Sequence, residues 1–228
     1  MEEKIISIAI DGPAAAGKST VAKRVAQILG FTYIDTGAMY RAVTQAVIAK
    51  GLDPKSEEQA VSLLPNMSID LLEDGRVICN GMDVTQVIRE PLVSGNVSYI
   101  AAMKPIRLAL VDMQRAMAHQ KSVVMDGRDI GTYVLPNAEV KVYQIASVET
   151  RAVRRYEENL EKGINTTLQQ VEDDVRNRDY IDSHREFAPL KPAPDSVLID
   201  TSFMSVEQAV EAVLKVVHDK TGIEVPCH

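Results

Sequence analysis

Residues 5–30 restrict the fold more than any other stretch of this chain. Ile5–Ile10 is a short apolar run, and Asp11-Gly12-Pro13 stops it in a turn signal. Val21, Val25, Ile28 and Leu29 then recur at helical spacing until Gly30, which reads as a C-cap. A buried strand, a glycine loop and a helix in direct succession open a parallel α/β sheet. The loop Gly12-Pro13-Ala14-Ala15-Ala16-Gly17-Lys18-Ser19, continued by Thr20, has the spacing G-x-x-x-x-G-K-[ST]. Its glycines allow the backbone to turn successive N–H groups inward, and the helix N-terminus adds partial positive charge. Lys18 can reach outer phosphates and Ser19 can offer a hydroxyl to magnesium, so residues 12–20 imply a nucleoside triphosphate site.

The rest of the chain continues the alternation. Phe31–Ile34 reads as a second strand, with Asp35-Thr36-Gly37 leading into a helix toward Gly51. Ser56 with Gln59 has capping-box spacing, and Pro65 marks the end of that short helix. Between Asn66 and Val84 the pattern becomes a hairpin turning at Glu73-Asp74-Gly75. Helical spacing resumes at Ile106, Leu110, Met113 and Met117, and Ser122–Met125 is a strand running into Asp126-Gly127-Arg128-Asp129. A strand over 139–146, helices over about 149–162 and 167–183, a proline-rich loop over 187–195 and a strand over 197–199 follow. The last helix is capped by Ser205 with Gln208 and turns Val206, Val210, Val213, Leu214 and Val217 toward the core; the tail from Gly222 carries no structural signal. The fold expected is a P-loop NTPase core with a mostly parallel sheet flanked by helices.

Composition limits the partners. A net charge of −7 over 228 residues argues against a nucleic-acid or membrane-surface binder, since both rely on a basic face. Any polyanion must be gripped locally. No apolar run approaches a membrane span, the opening MEEKIISIAI is unlike a signal peptide, and Cys79 and Cys227 belong to no C-x-x-C pair, so a cytoplasmic protein is expected. The tetrapeptide N-K-x-D of guanine switches is absent, and the strand before Asp126 does not end in paired acids as in ATPase motors. Those residues alone leave open a kinase for some small acceptor and a nucleotide-operated switch.

Asp35-Thr36-Gly37-Ala38-Met39-Tyr40-Arg41 follows the second strand, where ligands gather on an open parallel sheet. A hydroxyl, a glycine and then Arg41 suit a monophosphate, or else a helix N-cap with a solvated arginine. Together IDGPAAAGKST, YIDTGAMYRA, MDGRDIGT and RDYIDSHREFAPL resemble the bacterial cytidylate kinase family, of the nucleoside monophosphate kinase group. The resemblance runs from about residue 5 to 215. It implies ATP-dependent phosphorylation of CMP and dCMP with Mg2+, in pyrimidine metabolism, by a monomer without nucleic-acid or membrane partners.

By position, the resemblance implies that Thr36, Arg41 and Arg128 hold the acceptor, mainly by its phosphate. Ser98, Arg107 and Asp129 would surround the cytosine, with Arg178, Asp182 and Arg185 near sugar and phosphate. Cytosine presents an amino donor where uracil presents a carbonyl, so a carboxylate at 129 pairs with one and repels the other; an Asp–Arg structural pair is the other reading. Lys18, Arg128 and Arg155 are the expected catalytic residues, and Ser19 the expected metal contact. The resemblance divides the chain into a core of 1–65 and 103–228, a monophosphate-binding insert of 66–102 and a lid within 149–166. Arg151, Arg154 and Arg155 belong to that lid; arginine favours bidentate phosphate contact, while pairs such as Arg154 with Glu158 offer a purely structural role.

Overall fold

In the computed structural model, which describes residues 5–224, five strands lie parallel in the order β2-β6-β1-β7-β8. They are β1 (Ser7–Asp11), β2 (Thr32–Asp35), β6 (Val123–Gly127), β7 (Val140–Ile145) and β8 (Val197–Asp200). Side chains on each strand alternate between two apolar layers. Ile8, Ile10, Val124, Val140 and Val142 pack beneath α1 (Lys18–Leu29) and α8 (Val206–Thr221). Ala9, Val123 and Met125 face the opposite way, with Ile34 and Val111 of α5 (Lys104–Ala118). Covering on both faces is what the near-continuous apolar runs of a parallel sheet require.

Register sets the site. Asp35 of β2 lies opposite Asp126 of β6, and Asp11 of β1 opposite Gly127. The loops after these three strands therefore leave the sheet at one edge. α2 (Thr36–Ala49) begins there, capped by the Asp35 carboxylate, which accepts from the Ala38 N–H at 2.7 Å.

A small antiparallel sheet of β3 (Ile69–Leu71), β4 (Val77–Cys79) and β5 (Met82–Asp83) follows the short helix α3 (Glu57–Val61). The expected hairpin thus has a third strand. Next comes α4 (Pro91–Ala102), a helix that sequence patterning did not reveal. Its sequence PLVSGNVSYIAA mixes Gly95 with β-branched residues, poor helix formers individually, and packing compensates: Val93, Val97, Ile100 and Ala101 are buried. The 66–102 segment shares one apolar cluster with α2 and α5, in which Met39, Val43 and Leu110 meet Ile69, Val77 and Ile100.

Ser147, Thr167 and Ser205 cap α6 (Val148–Glu161), α7 (Leu168–His184) and α8, the last two with complete capping boxes. At Ser56 only half the box forms, because Gln59 Oε1 accepts from Asp53 N–H instead. Val206 departs from expectation: it is 43% exposed at the first turn of α8, while Val210, Val213, Leu214 and Val217 are buried. α8 ends at Thr221 with Gly222 as a left-handed cap (φ 73°); the part of the expected unstructured tail at 225–228 lies outside the described residues. Among the described residues no helix is long and apolar enough to cross a membrane.

Candidate active site

The loop after β1 is fixed by what surrounds it. Gly12, Ala15 and Gly17 take positive φ values of 152°, 57° and 82°, the turns that let neighbouring N–H groups converge. At Gly12 no other residue fits, since a Cβ there would stand 1.9 Å from the Gln144 carbonyl oxygen. The Gln144 side chain donates from Nε2 to Ala16 O at 2.6 Å, so one strand residue crowds the start of the loop and braces its far end. Asp11 ties this loop to the next. Its two carboxylate oxygens accept from the Ile130 and Gly131 N–H groups, each at 2.8 Å, and so hold the single π-helical turn Ile130–Val134 that follows Asp129.

Lys18 is buried, and its Nζ donates to Pro13 O at 2.7 Å. Burial and then the nearby Arg128 push its pKa down to about 7, against the pull of Asp126 and Asp11. A cation held at such a disadvantage gains when a polyphosphate arrives. Ser19 Oγ donates to Asp126 Oδ2 and the Tyr33 hydroxyl to Asp126 Oδ1, both at 2.8 Å. Burial and the nearby Asp35 push the Asp126 carboxyl upward. A hydroxyl and a carboxylate side by side suit magnesium, which keeps several waters and takes further oxygens from phosphates. A cage of three protein ligands is not needed, and among the described residues no group of three or more His, Cys, Asp or Glu is placed to hold a metal.

Opposite this loop stands a wall of arginine. Arg41 Nη2 donates to Asp35 Oδ2 at 3.0 Å, and Arg89 lies 3.7 Å from the same oxygen. Thr36 Oγ1 donates to Asp126 O at 2.6 Å. Arg128 Nε donates to Asp182 Oδ2 at 2.8 Å. Burial alone would raise the Asp182 carboxyl, but Arg128, Arg185 and Arg178 outweigh it and hold the group below the usual carboxylate range. Arg178 is pushed down by burial and by Arg128, and Arg185 by burial and by Arg107. Arg41 Nε and Arg178 Nε are buried without a hydrogen-bond partner among the described residues, which leaves donors for a ligand.

Asp129 is buried between two guanidinium groups: Arg107 bonds Oδ2, and Arg185 Nη2 donates to Oδ1 at 3.3 Å. The Asp–Arg pair foreseen as one reading of this residue is therefore formed, and Asp129 also lines the cleft, with Ser98 of α4 and Arg107 of α5. The Arg107 guanidinium lies 5.4 Å from the centre of the Tyr40 ring. Tyr40 is a cleft wall as well as a packing residue, whereas Tyr180 is exposed and stacked on His184, outside the core.

Of the three arginines expected in the lid, Arg154 donates to Thr201 O at 2.6 Å and Arg155 pairs with Glu158 at 2.9 Å. The i,i+4 pair of Arg154 with Glu158 is not formed; Arg155 and Lys162 take that carboxylate. Arg154 and Arg155 line the cleft, but Arg151 does not. It is 4% exposed and fixed behind the phosphate loop, with Nε on Ala146 O and Nη1 on Ala14 O, each at 2.9 Å. Of the loop, residues 15–20 reach the cleft, and Gly12, Pro13 and Ala14 shape it from behind.

One cleft of about 670 Å³ takes in the phosphate loop from Ala15 to Thr20 and the arginines opposite it, and among the described residues ten cationic side chains and five carboxylates line it. Sequence reasoning passed over several contributors. Asp126 had a signal, an acid ending an apolar strand; Gln144 had only its polarity within a strand; Asp11 and Arg89 had none that spacing could reveal.

The chain matches the profile of the cytidylate kinase family over residues 8–219. A cytidylate kinase of Geobacillus kaustophilus is 52% identical over 220 residues, covering 95% of this chain and 98% of the relative. One from Oceanobacillus iheyensis is 50% identical over 215 residues, covering 93% and 94%. Among solved structures, a gluconokinase of Sinorhizobium meliloti superposes with a TM-score of 0.51 at 12% identity, over 95% of this chain and 94% of that one. An uncharacterised protein of Eubacterium ventriosum gives 0.52 at 14% identity, over 92% and 96%. At such identities these two structures speak for the fold alone.

Proposed function

Because the chain belongs to the cytidylate kinase family, we propose that it catalyses ATP-dependent phosphorylation of CMP and dCMP to CDP and dCDP, in pyrimidine nucleotide metabolism. The observation that carries this is one cleft in which a phosphate loop with Lys18 and Ser19 faces Arg41, Arg128 and Asp129 across the sheet edge. ATP is the donor, over residues 12–20. Ser19 and Asp126 would hold a magnesium ion, which when bound draws charge from the donor's outer phosphates.

Phosphoryl transfer proceeds through a loose transition state, so position and charge do most of the work. Lys18 exchanges its bond to Pro13 O for the donor phosphates. Arg41, Arg128 and Thr36 aim the acceptor phosphate in line, and the spare donors of Arg41 and Arg178 suit its oxygens. Arg155 exchanges Glu158 for the migrating group as the lid, 149–166, closes and excludes water; Arg154 supports it. No side chain is required as a general base, because a nucleoside monophosphate is largely a dianion at neutral pH. Asp182 and Arg185 stand by the sugar. Ser98, Arg107 and Asp129 read the base, and the 66–102 insert serves the acceptor by supplying Ser94, Val97 and Ser98.

This reading implies a cytoplasmic monomer, in keeping with the free, buried thiol of Cys79. The deciding experiment is coupled turnover with a panel of acceptors. ADP should form with CMP and dCMP, and far more slowly with UMP, dTMP or no acceptor. Rapid ATP hydrolysis without an acceptor would mark a switch, and preference for UMP or dTMP another kinase.

A further inference from the structure

Residue 14 of the phosphate loop is gripped from outside the cleft. Ala14 N–H donates to Asp179 Oδ1 at 2.9 Å, and Ala14 O accepts from Arg151 Nη1 at 2.9 Å. Arg151 Nη1 also pairs with Asp179 Oδ2 at 2.5 Å. One salt bridge between α6 and α7 thus holds both peptides that flank Ala14. Neither residue lines the cleft.

A peptide is planar and trans, so its C=O and the next residue's N–H point in opposite directions. Arg151 draws the Ala14 carbonyl backward, which turns the Ala15 N–H forward into the cleft that Ala15 lines. Ala15 takes φ 57°, a left-handed conformation that a non-glycine residue keeps only where its surroundings over-determine it. A charged donor on the carbonyl also polarises the peptide, which makes the N–H on its far side a stronger donor.

We propose that Arg151 and Asp179 act as one unit of positioning residues for the donor, holding the Ala15 N–H toward the ATP phosphates and making the cradle's shape depend on the docking of α6 against α7. This assigns Asp179 a part in the reaction and places Arg151 behind the phosphate loop instead of among the phosphate-contacting lid arginines. It rests on the reading of residues 12–20 as the ATP site.

Asp179→Asn, Arg151→Lys and the double variant test it. Asparagine keeps an acceptor for Ala14 N–H but loses the ion pair; lysine keeps the charge but loses the fork. Each single variant should raise KM for ATP by about tenfold or more and leave KM for CMP within about twofold. The double variant should be no worse than the worse single one. Magnesium-free ADP titration by calorimetry should show the same weakening, so the clamp is read even where turnover is not. A silent Asp179→Asn beside an Arg151→Lys that lowers kcat without changing KM for ATP would overturn the proposal and return Arg151 to the phosphates. Equal losses for both substrates would overturn it too, as general damage. Should Arg151→Lys fail to fold, Asp179→Asn alone must show the KM split. A wild-type protein that binds ADP but does not phosphorylate CMP would defeat the functional reading and leave the clamp standing.

Discussion

At the scale of single residues, Asp129, the proposed reader of the base, shows how the fold would prepare such a group. It meets two guanidinium groups before it meets a base: Arg107 and Arg185 take one oxygen each and hold the carboxylate fixed at the cleft wall. On the proposed reading, a carboxylate so held would accept from the cytosine amino group, directly or through the Ser98 hydroxyl, and be repelled by the uracil carbonyl. Asp129→Asn keeps the size, removes the charge and supplies an amide donor. It should lower kcat/KM for CMP at least about tenfold, roughly 1.4 kcal/mol, and narrow the CMP to UMP ratio. Because one partner of a buried charge network is removed, it should also lower the melting temperature. Steady-state kinetics on both acceptors, with a melting curve, would check this; equal losses on CMP and UMP would leave Asp129 as an orienting partner for arginine only. The family resemblance carried by MDGRDIGT marked this residue, but its pairing with residues 107 and 185 was a matter of tertiary distance that no motif records.

At the scale of elements, the parts written in local chemistry were legible. Thr167 with Gln170 and Ser205 with Gln208 announce helix starts because the reciprocal bonds lie within four residues. The helix α4 was hidden because tertiary burial of Val93, Val97 and Ile100 sustains a sequence that lacks helical propensity. The π-helical turn at 130–134 was hidden for a related reason: Asp11, 119 residues away, holds its first N–H groups. That link titrates. Burial pushes Asp11 from its ordinary 3.8 up to about 7, against the two N–H bonds and Lys18 and with the help of Asp129. Between about pH 4 and 7 the folded chain therefore keeps a proton that the unfolded chain has released, so this group's contribution to stability falls as pH rises through that window and is flat above it. Asp11→Asn cannot titrate. Urea unfolding of both proteins from pH 5 to 8 should shift their difference in favour of the variant, by on the order of 2 kcal/mol. A difference independent of pH would mean that Asp11 is ionised throughout.

At the scale of the whole molecule, charge is distributed against the average. The chain carries a net −7, yet among the described residues ten cationic side chains face five carboxylates in its cleft. With a negative total, any polyanion has to be gripped locally; where the positive charge gathers depends on the strand order that brings residues 41, 107, 128, 178 and 185 to one edge. Crowding has an energetic consequence. Lys18, Arg178 and Arg185 are each disfavoured as cations by burial and then by repulsion from a neighbouring arginine, whereas at Arg107 and Arg128 nearby acidic groups outweigh burial. An anion that binds only the folded state relieves this repulsion, and by linkage it must stabilise the fold. At about 100 times its dissociation constant such a ligand adds about 2.7 kcal/mol, and at about 2–4 °C per kcal/mol for a chain of this size the melting temperature should rise by about 5–10 °C. CMP, magnesium-free ATP and inorganic tripolyphosphate should all do so, while cytidine and adenosine at the same concentrations move it far less. Added KCl should narrow that gap by screening. If cytidine stabilises as well as CMP does, the base pocket and not the cation crowd dominates binding, and the charge argument fails.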